Sequence, residues 1–131
     1  MAAAVPRARR PTGVRTPKQR AGDAAEDAAA RHLAAHGCTL IERNVRFPEG
    51  ELDLIARERE LIVFVEVRMR RSSAFGGAAA SVDRHKQKRL MRAAQHWLLG
   101  RYGERWPPCR FDVVTVAGDG TIEWIRDAFA A

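Results

Sequence analysis

Residues 50–70 read GELDLIARERELIVFVEVRMR. A partly alternating run, 51–56, and a nearly continuous apolar run, 61–69, flank the charged segment 57–60, the pattern of a β-hairpin. The second run is almost unbroken and β-branched, as in a central strand covered on both faces. Residues two apart on a strand share a face, so Glu51 and Asp53 point one way, as do Glu66 and Arg68. With a turn at 57–60, Ala56 pairs with Leu61, Asp53 stands opposite Phe64 and Glu51 opposite Glu66. Asp53 and Glu66 then lie diagonally on one face. A slip of two residues would bring them directly opposite, whereas a slip of one would separate them.

Outward from the hairpin, residues 22–36 are good helix formers with Ala29, Ala30 and Leu33 on one stripe, and Gly37 supplies a stop. Residues 38–47 read as an edge-type strand that ends irregularly near Asn44 and Pro48. Residues 82–100 carry Leu90, Ala93, Ala94, Trp97 and Leu98 at helical spacing, with Arg84, Lys86, Lys88, Arg89 and Arg92 on the other face. Residues 72–81 show no period and read as a loop between Glu66 and this basic helix. Residues 111–116 and 121–125 make two further strands around Gly118, Asp119 and Gly120. The order α-β-β-β-α-β-β gives a mixed β-sheet with helices packed on it, an α/β domain.

The chain has 131 residues, 46% hydrophobic and 30% charged, which suits one domain and excludes collagen-like, disordered and membrane-spanning classes. Its longest uncharged apolar stretch, 61–65, is too short to cross a bilayer. Cys38 and Cys109 make neither a four-cysteine zinc site nor a disulfide scaffold, and no signal-peptide core is present, so a cytoplasmic setting is expected. Residues 1–20 hold six basic and no acidic side chains and three prolines, reading as a disordered basic arm ahead of a domain at 21–131. Residues 23–67 carry ten acids against five bases, and residues 68–110 eleven bases against two acids. Such a division suits a protein that gathers a cation with one part and a polyanion with the other, although solvated charged faces give the same count.

Glu66 is the odd residue, a carboxylate closing a strand expected to be buried. Mg²⁺ or Mn²⁺ bound by one or two carboxylates plus waters would satisfy it, and so would Arg68. Glu26 lies three, four and seven residues before Ala29, Ala30 and Leu33, and is a third acid on an inward stripe. Spacing alone leaves open a metal site or a structural network of ion pairs. His32 and His36 are four apart but lack an HExxH pattern and a third ligand, so His36 is read as a helix-terminal residue favoured by the dipole. His85 and His96 have no nucleophile at a recognisable spacing. Trp97 and Phe64 are expected in the core; Phe75, Trp106 and Trp124 suit core or surface, and Phe75 or Trp106 could stack on a base.

The segments 22–26 (GDAAE), 50–56 (GELDLIA), 64–68 (FVEVR), 76–82 (GGAAASV), Lys86 and 110–114 (RFDVV) together resemble the YraN family of bacterial proteins, over about residues 18–129. The resemblance implies the restriction-endonuclease-like core of Holliday-junction resolvases, in which a helix acid, a strand Asp and a Glu-x-Lys hold divalent metal at the scissile phosphate. It implies Glu26, Asp53 and Glu66 as ligands of Mg²⁺ or Mn²⁺, with Arg68 completing the catalytic set. Nucleic acid, DNA in the first place, would bind Arg68, Arg70, Arg71, Arg84, Lys86 and Lys88, and a homodimer would offer two sites to two strands. Arg68 departs from the pattern: it replaces Lys, stays protonated and cannot act as a general base, though it can orient a phosphate. A non-catalytic nucleic-acid-binding module and a protein-interaction role are the alternatives.

Overall fold

The computed structural model describes residues 5–6, 14–70 and 82–130. In chain order the elements are β1 (Val5–Pro6), α1 (Pro17–Ala35), β2 (Thr39–Phe47), β3 (Gly50–Glu58), β4 (Leu61–Arg70), α2 (Arg84–Tyr102), β5 (Cys109–Ala117) and β6 (Ile122–Phe129). They form a mixed α/β domain with one sheet in the order β1-β2-β3-β4-β5-β6. All neighbours are antiparallel except β4 and β5. That parallel pair requires a crossover, and α2 supplies it. The helices cover opposite faces, because alternate residues of the same strands go to each: Ala29 and Leu33 of α1 pack with Leu54, Ala56, Val63 and Val65. Leu90, Ala93, Ala94, Trp97 and Leu98 of α2 pack with Ile55, Ile62, Phe64 and Val113.

Several expectations are revised. The hairpin turn occupies Arg59 and Glu60 alone, with Glu58 paired to Leu61, because Arg59 takes the left-handed conformation at φ 58° and closes the chain two residues sooner. The register therefore shifts by two, the slip that keeps Asp53 and Glu66 on a common face. The first helix begins at Pro17, not at residue 22, since Thr16 caps it: Gln19 N–H donates to Thr16 Oγ1 at 3.1 Å and Thr16 N–H donates to Gln19 Oε1 at 2.9 Å. Arg15 binds Asp23 at 2.9 Å, so residues 15–20 belong to the folded body rather than to an arm. Finally, the backbone of Val5–Pro6 pairs with Arg46 and Val45, adding a strand ahead of the expected order. Residues 1–4 and 7–13 of the expected arm, and the expected loop at 72–81, lie outside the described residues.

The second helix starts two residues later than expected, where Asp83 caps it, and β6 runs on to Phe129. Trp97 and Phe64 are core residues in edge-to-face contact at 5.8 Å. Trp97 Nε1–H donates to Glu42 Oε1 at 2.9 Å, tying α2 to β2. Gly50 starts β3 where a Cβ would stand 3.4 Å from the Arg89 carbonyl oxygen, so strand and helix approach closely there.

Candidate active site

The β3–β4 pairing runs from Glu58↔Leu61 to Leu54↔Val65. One step further, Asp53 and Glu66 stand opposite each other. Val67 N–H donates to Asp53 Oδ2 at 3.0 Å, so a side chain takes the place of a main-chain partner as the strands part. Glu66 is buried and Asp53 half-buried. The Asp53 carboxyl pKa is raised well above the ordinary range by burial first and by the charge of Glu66 second. The Val67 bond opposes this rise, while hydrogen-bonding reach to Glu66 and the charge of Glu26 add to it.

The partners of Glu66 are uneven. Its Oε2 faces Arg68 Nε at 3.2 Å and Lys86 Nζ at 3.6 Å. Its Oε1 is buried without a hydrogen-bond donor among the described residues. Asp112, also buried in the sheet, shows the opposite treatment: Arg110 donates to both its oxygens at 2.8 and 2.9 Å, Trp124 Nε1–H at 2.8 Å and Asp127 N–H at 2.9 Å. A buried carboxylate oxygen without a donor needs a proton or a cation. Oxygen donors on Asp53 and Glu66 fit Mg²⁺ or Mn²⁺, which take one or two carboxylates and complete their shell with water and phosphate oxygens.

Glu26 approaches from α1 but is engaged by Arg43 at 3.3 Å, which also holds Asp27 at 2.9 Å. Among the described residues no three His, Cys, Asp or Glu side chains converge as a ready-made metal cage. The structure thus brings Asp53 and Glu66 together and sets Glu26 at the margin, where its charge still reaches Asp53.

The cations divide similarly. Arg68 and Lys86 flank Glu66 and keep part of their surface open. Arg84 and Lys88 are exposed on α2. Arg70 is turned away, 11% exposed and 3.5 Å from Glu123 on β6. Arg71 lies outside the described residues. His36 Nδ1 sits 2.8 Å from the His32 carbonyl oxygen at the end of α1, and the two rings lie 4.3 Å apart, tilted by 32°. A cavity of about 580 Å³ is lined by His36, Glu58, Arg59, Glu60 and Pro108 at the turn end of the hairpin, away from the carboxyl pair.

Three features were not read from the sequence: the Arg43 clasp on Glu26, the Arg110–Asp112 hub and the Asp83 cap that sets Lys86. Only the last has a local signal, an Asp directly before a helical period.

The model of an uncharacterised protein family, UPF0102, matches residues 25–116. The chain belongs to the UPF0102 (YraN) family. It is 53% identical over 110 residues to a UPF0102 protein of Nitrosomonas europaea, covering 82% of this chain and 92% of that one. A UPF0102 protein of Acidovorax sp. is 52% identical over 118 residues, covering 85% of each. One of Shewanella amazonensis is 49% identical over 108 residues, covering 82% of this chain and 97% of the relative. The UPF0102 match spans Glu26, Asp53, Glu66, Arg68, Lys86 and Asp112, and so takes in the whole carboxyl site and the Arg110–Asp112 hub.

Proposed function

We propose that this protein binds nucleic acid, DNA in the first place, and hydrolyses phosphodiester bonds with Mg²⁺ or Mn²⁺ on a restriction-endonuclease-like core. The observation that carries this reading is the buried Oε1 of Glu66 beside Asp53, which meets no donor among the described residues, with two cations on the other oxygen. A purely structural ion-pair network would supply donors to both oxygens, as it does at Asp112. Asp53 and Glu66 would hold the cation, with Glu26 as a marginal third acid. Bound there, the cation supplies a water of lowered pKa and neutralises charge on the phosphate.

Arg68 remains a cation at any working pH, so its role is to orient a phosphate oxygen and to offset developing negative charge, not to remove a proton. Lys86, 3.6 Å from the same carboxylate, adds a second positive group on the α2 side. Main-chain support from Val67 fixes the Asp53 carboxyl in place. A cytoplasmic setting agrees with two free cysteines, one buried and one exposed. No helix among the described residues is long and apolar enough to cross a membrane. A homodimer would present two such sites to two strands.

Arg68 in place of Lys favours a second reading, a binding module on the same fold that does not cleave. Labelled branched, duplex and single-stranded DNA and RNA, incubated in Mg²⁺, Mn²⁺ or EDTA, separate the two. Metal-dependent cleavage that is lost in folded Asp53→Ala and Glu66→Ala variants supports the nuclease. Salt-sensitive binding without cleavage supports the module, and neither binding nor cleavage points to a protein partner.

A further inference from the structure

Away from the carboxyl pair, α2 carries a second feature. Lys86, Arg89, Arg92 and Gln95 recur every three residues, a row that winds along the helix from Glu66 toward its C-terminus. The row ends at a groove of about 320 Å³ lined by Glu49, Arg92, Gln95, His96, Leu99 and Trp106. Trp106 is 43% exposed and Leu99 41%, so the groove has an open apolar side.

The indole is also fixed. Trp106 Nε1–H donates to the Gly103 carbonyl oxygen at 2.6 Å, and Gly103 N–H donates to the Leu99 carbonyl oxygen at 2.9 Å, closing α2. Gly103 adopts φ 65°, which a side chain there would resist, so the turn that carries Trp106 is built on glycine. The one acid of the groove, Glu49, is engaged by His96 at 2.8 Å, and His96 stacks on Phe47 at 4.7 Å. What faces solvent is therefore a held aromatic plane beside an exposed arginine.

We infer that Trp106 is a stacking platform for an unpaired nucleobase, on a strand whose phosphates follow Lys86, Arg89 and Arg92. The inference rests on the nucleic-acid reading above and names its substrate class as single-stranded or locally unpaired. Basic residues that track a backbone and end at an exposed ring are the means by which single strands are held without sequence preference. In a duplex the base faces are occupied by their neighbours and cannot reach the ring. Two apolar residues among four polar ones are too few for an amphipathic helix, which needs a series of apolar anchors. From Lys86 to Leu99 the helix axis covers about 20 Å, so the base held at Trp106 lies several nucleotides from the carboxyl pair.

The test uses the full chain in EDTA, with fluorescein-labelled oligo-dT and a blunt duplex of equal length, read by anisotropy. Trp106→Ala is expected to lower the ratio of single-strand to duplex affinity by about five- to a hundredfold, the range of one base–aromatic stack. Trp106→Phe should restore most of it. The slope of affinity against salt should stay as in the parent, since no phosphate contact is lost. An unchanged ratio overturns the inference, even if metal-dependent cleavage persists and the nuclease reading stands. Dissociation of a dimer by Trp106→Ala with the ratio unchanged overturns it in favour of a self-association face. Retained, Trp106-dependent binding without cleavage at any metal supports the platform while removing the nuclease. Absence of binding to either oligonucleotide overturns the platform, and the metal-dependent cleavage assay then decides the nuclease reading on its own.

Discussion

Two carboxylates buried in one sheet are treated in opposite ways, and the difference separates structure from chemistry. Asp112 is fully enclosed and collects Arg110, Trp124 and the Asp127 amide. Replacing it with Ala leaves an indole N–H and an amide without an acceptor, and a guanidinium with only its long contact to Glu58 at 3.5 Å. Asp112→Ala is expected to cost roughly 3–5 kcal/mol, the usual loss when one partner of a buried pair is removed, read as a shift of the urea midpoint at constant m-value. Glu66→Gln is expected to cost at most about 1 kcal/mol, because its ion-pair partners are partly solvated and the amide brings donors of its own. Asp53 gives a pH signature. Its raised native pKa means that the folded state binds a proton more tightly than the unfolded one. Its contribution to stability is full below the ordinary Asp pKa of about 3.9 and is lost as pH rises through the native value. In EDTA, Asp53→Asn should flatten this part of the stability–pH curve and be more stable than the parent at pH 8. The amide oxygen still accepts from Val67. Urea midpoints at several pH values check it, and a variant with the parental slope would remove Asp53 as the source.

At the scale of elements, α2 both bridges the parallel strands and carries the cations, so its first turn connects stability to binding. Asp83 Oδ1 accepts from Lys86 N–H at 2.7 Å, the bond that places Lys86 beside Glu66. Asp83→Ala is expected to cost about 1 kcal/mol, as N-cap loss does elsewhere, and to weaken nucleic-acid binding. Thr16→Ala removes the equivalent cap of α1 at a similar cost, yet should leave binding unchanged; equal effects from both would show that only global stability was at work. These elements were legible in the sequence wherever period and cap agree. The hairpin, the central β4, the crossover helix and the shared face of Asp53 and Glu66 all follow from residues 50–70 and 82–100. The missing two residues of turn were not legible, because Arg59 takes a left-handed conformation with no glycine or asparagine to signal it. Asn44 and Asp127 also have positive φ, near register shifts of β2 and β5–β6. Arg43 reaches Glu26 across the gap between strand and helix, a tertiary contact that spacing does not encode.

Over the whole molecule the charge is segregated, with acids gathered before residue 68 and bases concentrated from there to Arg110. The fold sharpens this division, since it decides which bases face outward. Arg84 and Lys88 stand exposed on α2, whereas Arg70, although it belongs to the same basic stretch, is directed at Glu123 and 11% exposed. Binding through phosphates releases condensed counterions, so each lost contact lowers the slope of log K against log salt by about 0.9 on duplex or 0.7 on single strands. Arg84→Ala and Lys88→Ala should each reduce that slope by nearly one and weaken all sequences alike. Arg70→Gln should leave the slope unchanged and act instead on stability, because it exchanges a shielded ion pair for an amide. Anisotropy titrations from low to high salt, paired with urea melts of the same variants, distinguish the two effects. A reduced slope for Arg70→Gln would place its guanidinium on the nucleic acid, and would mean that binding releases it from Glu123 and reshapes the β4–β6 edge of the sheet.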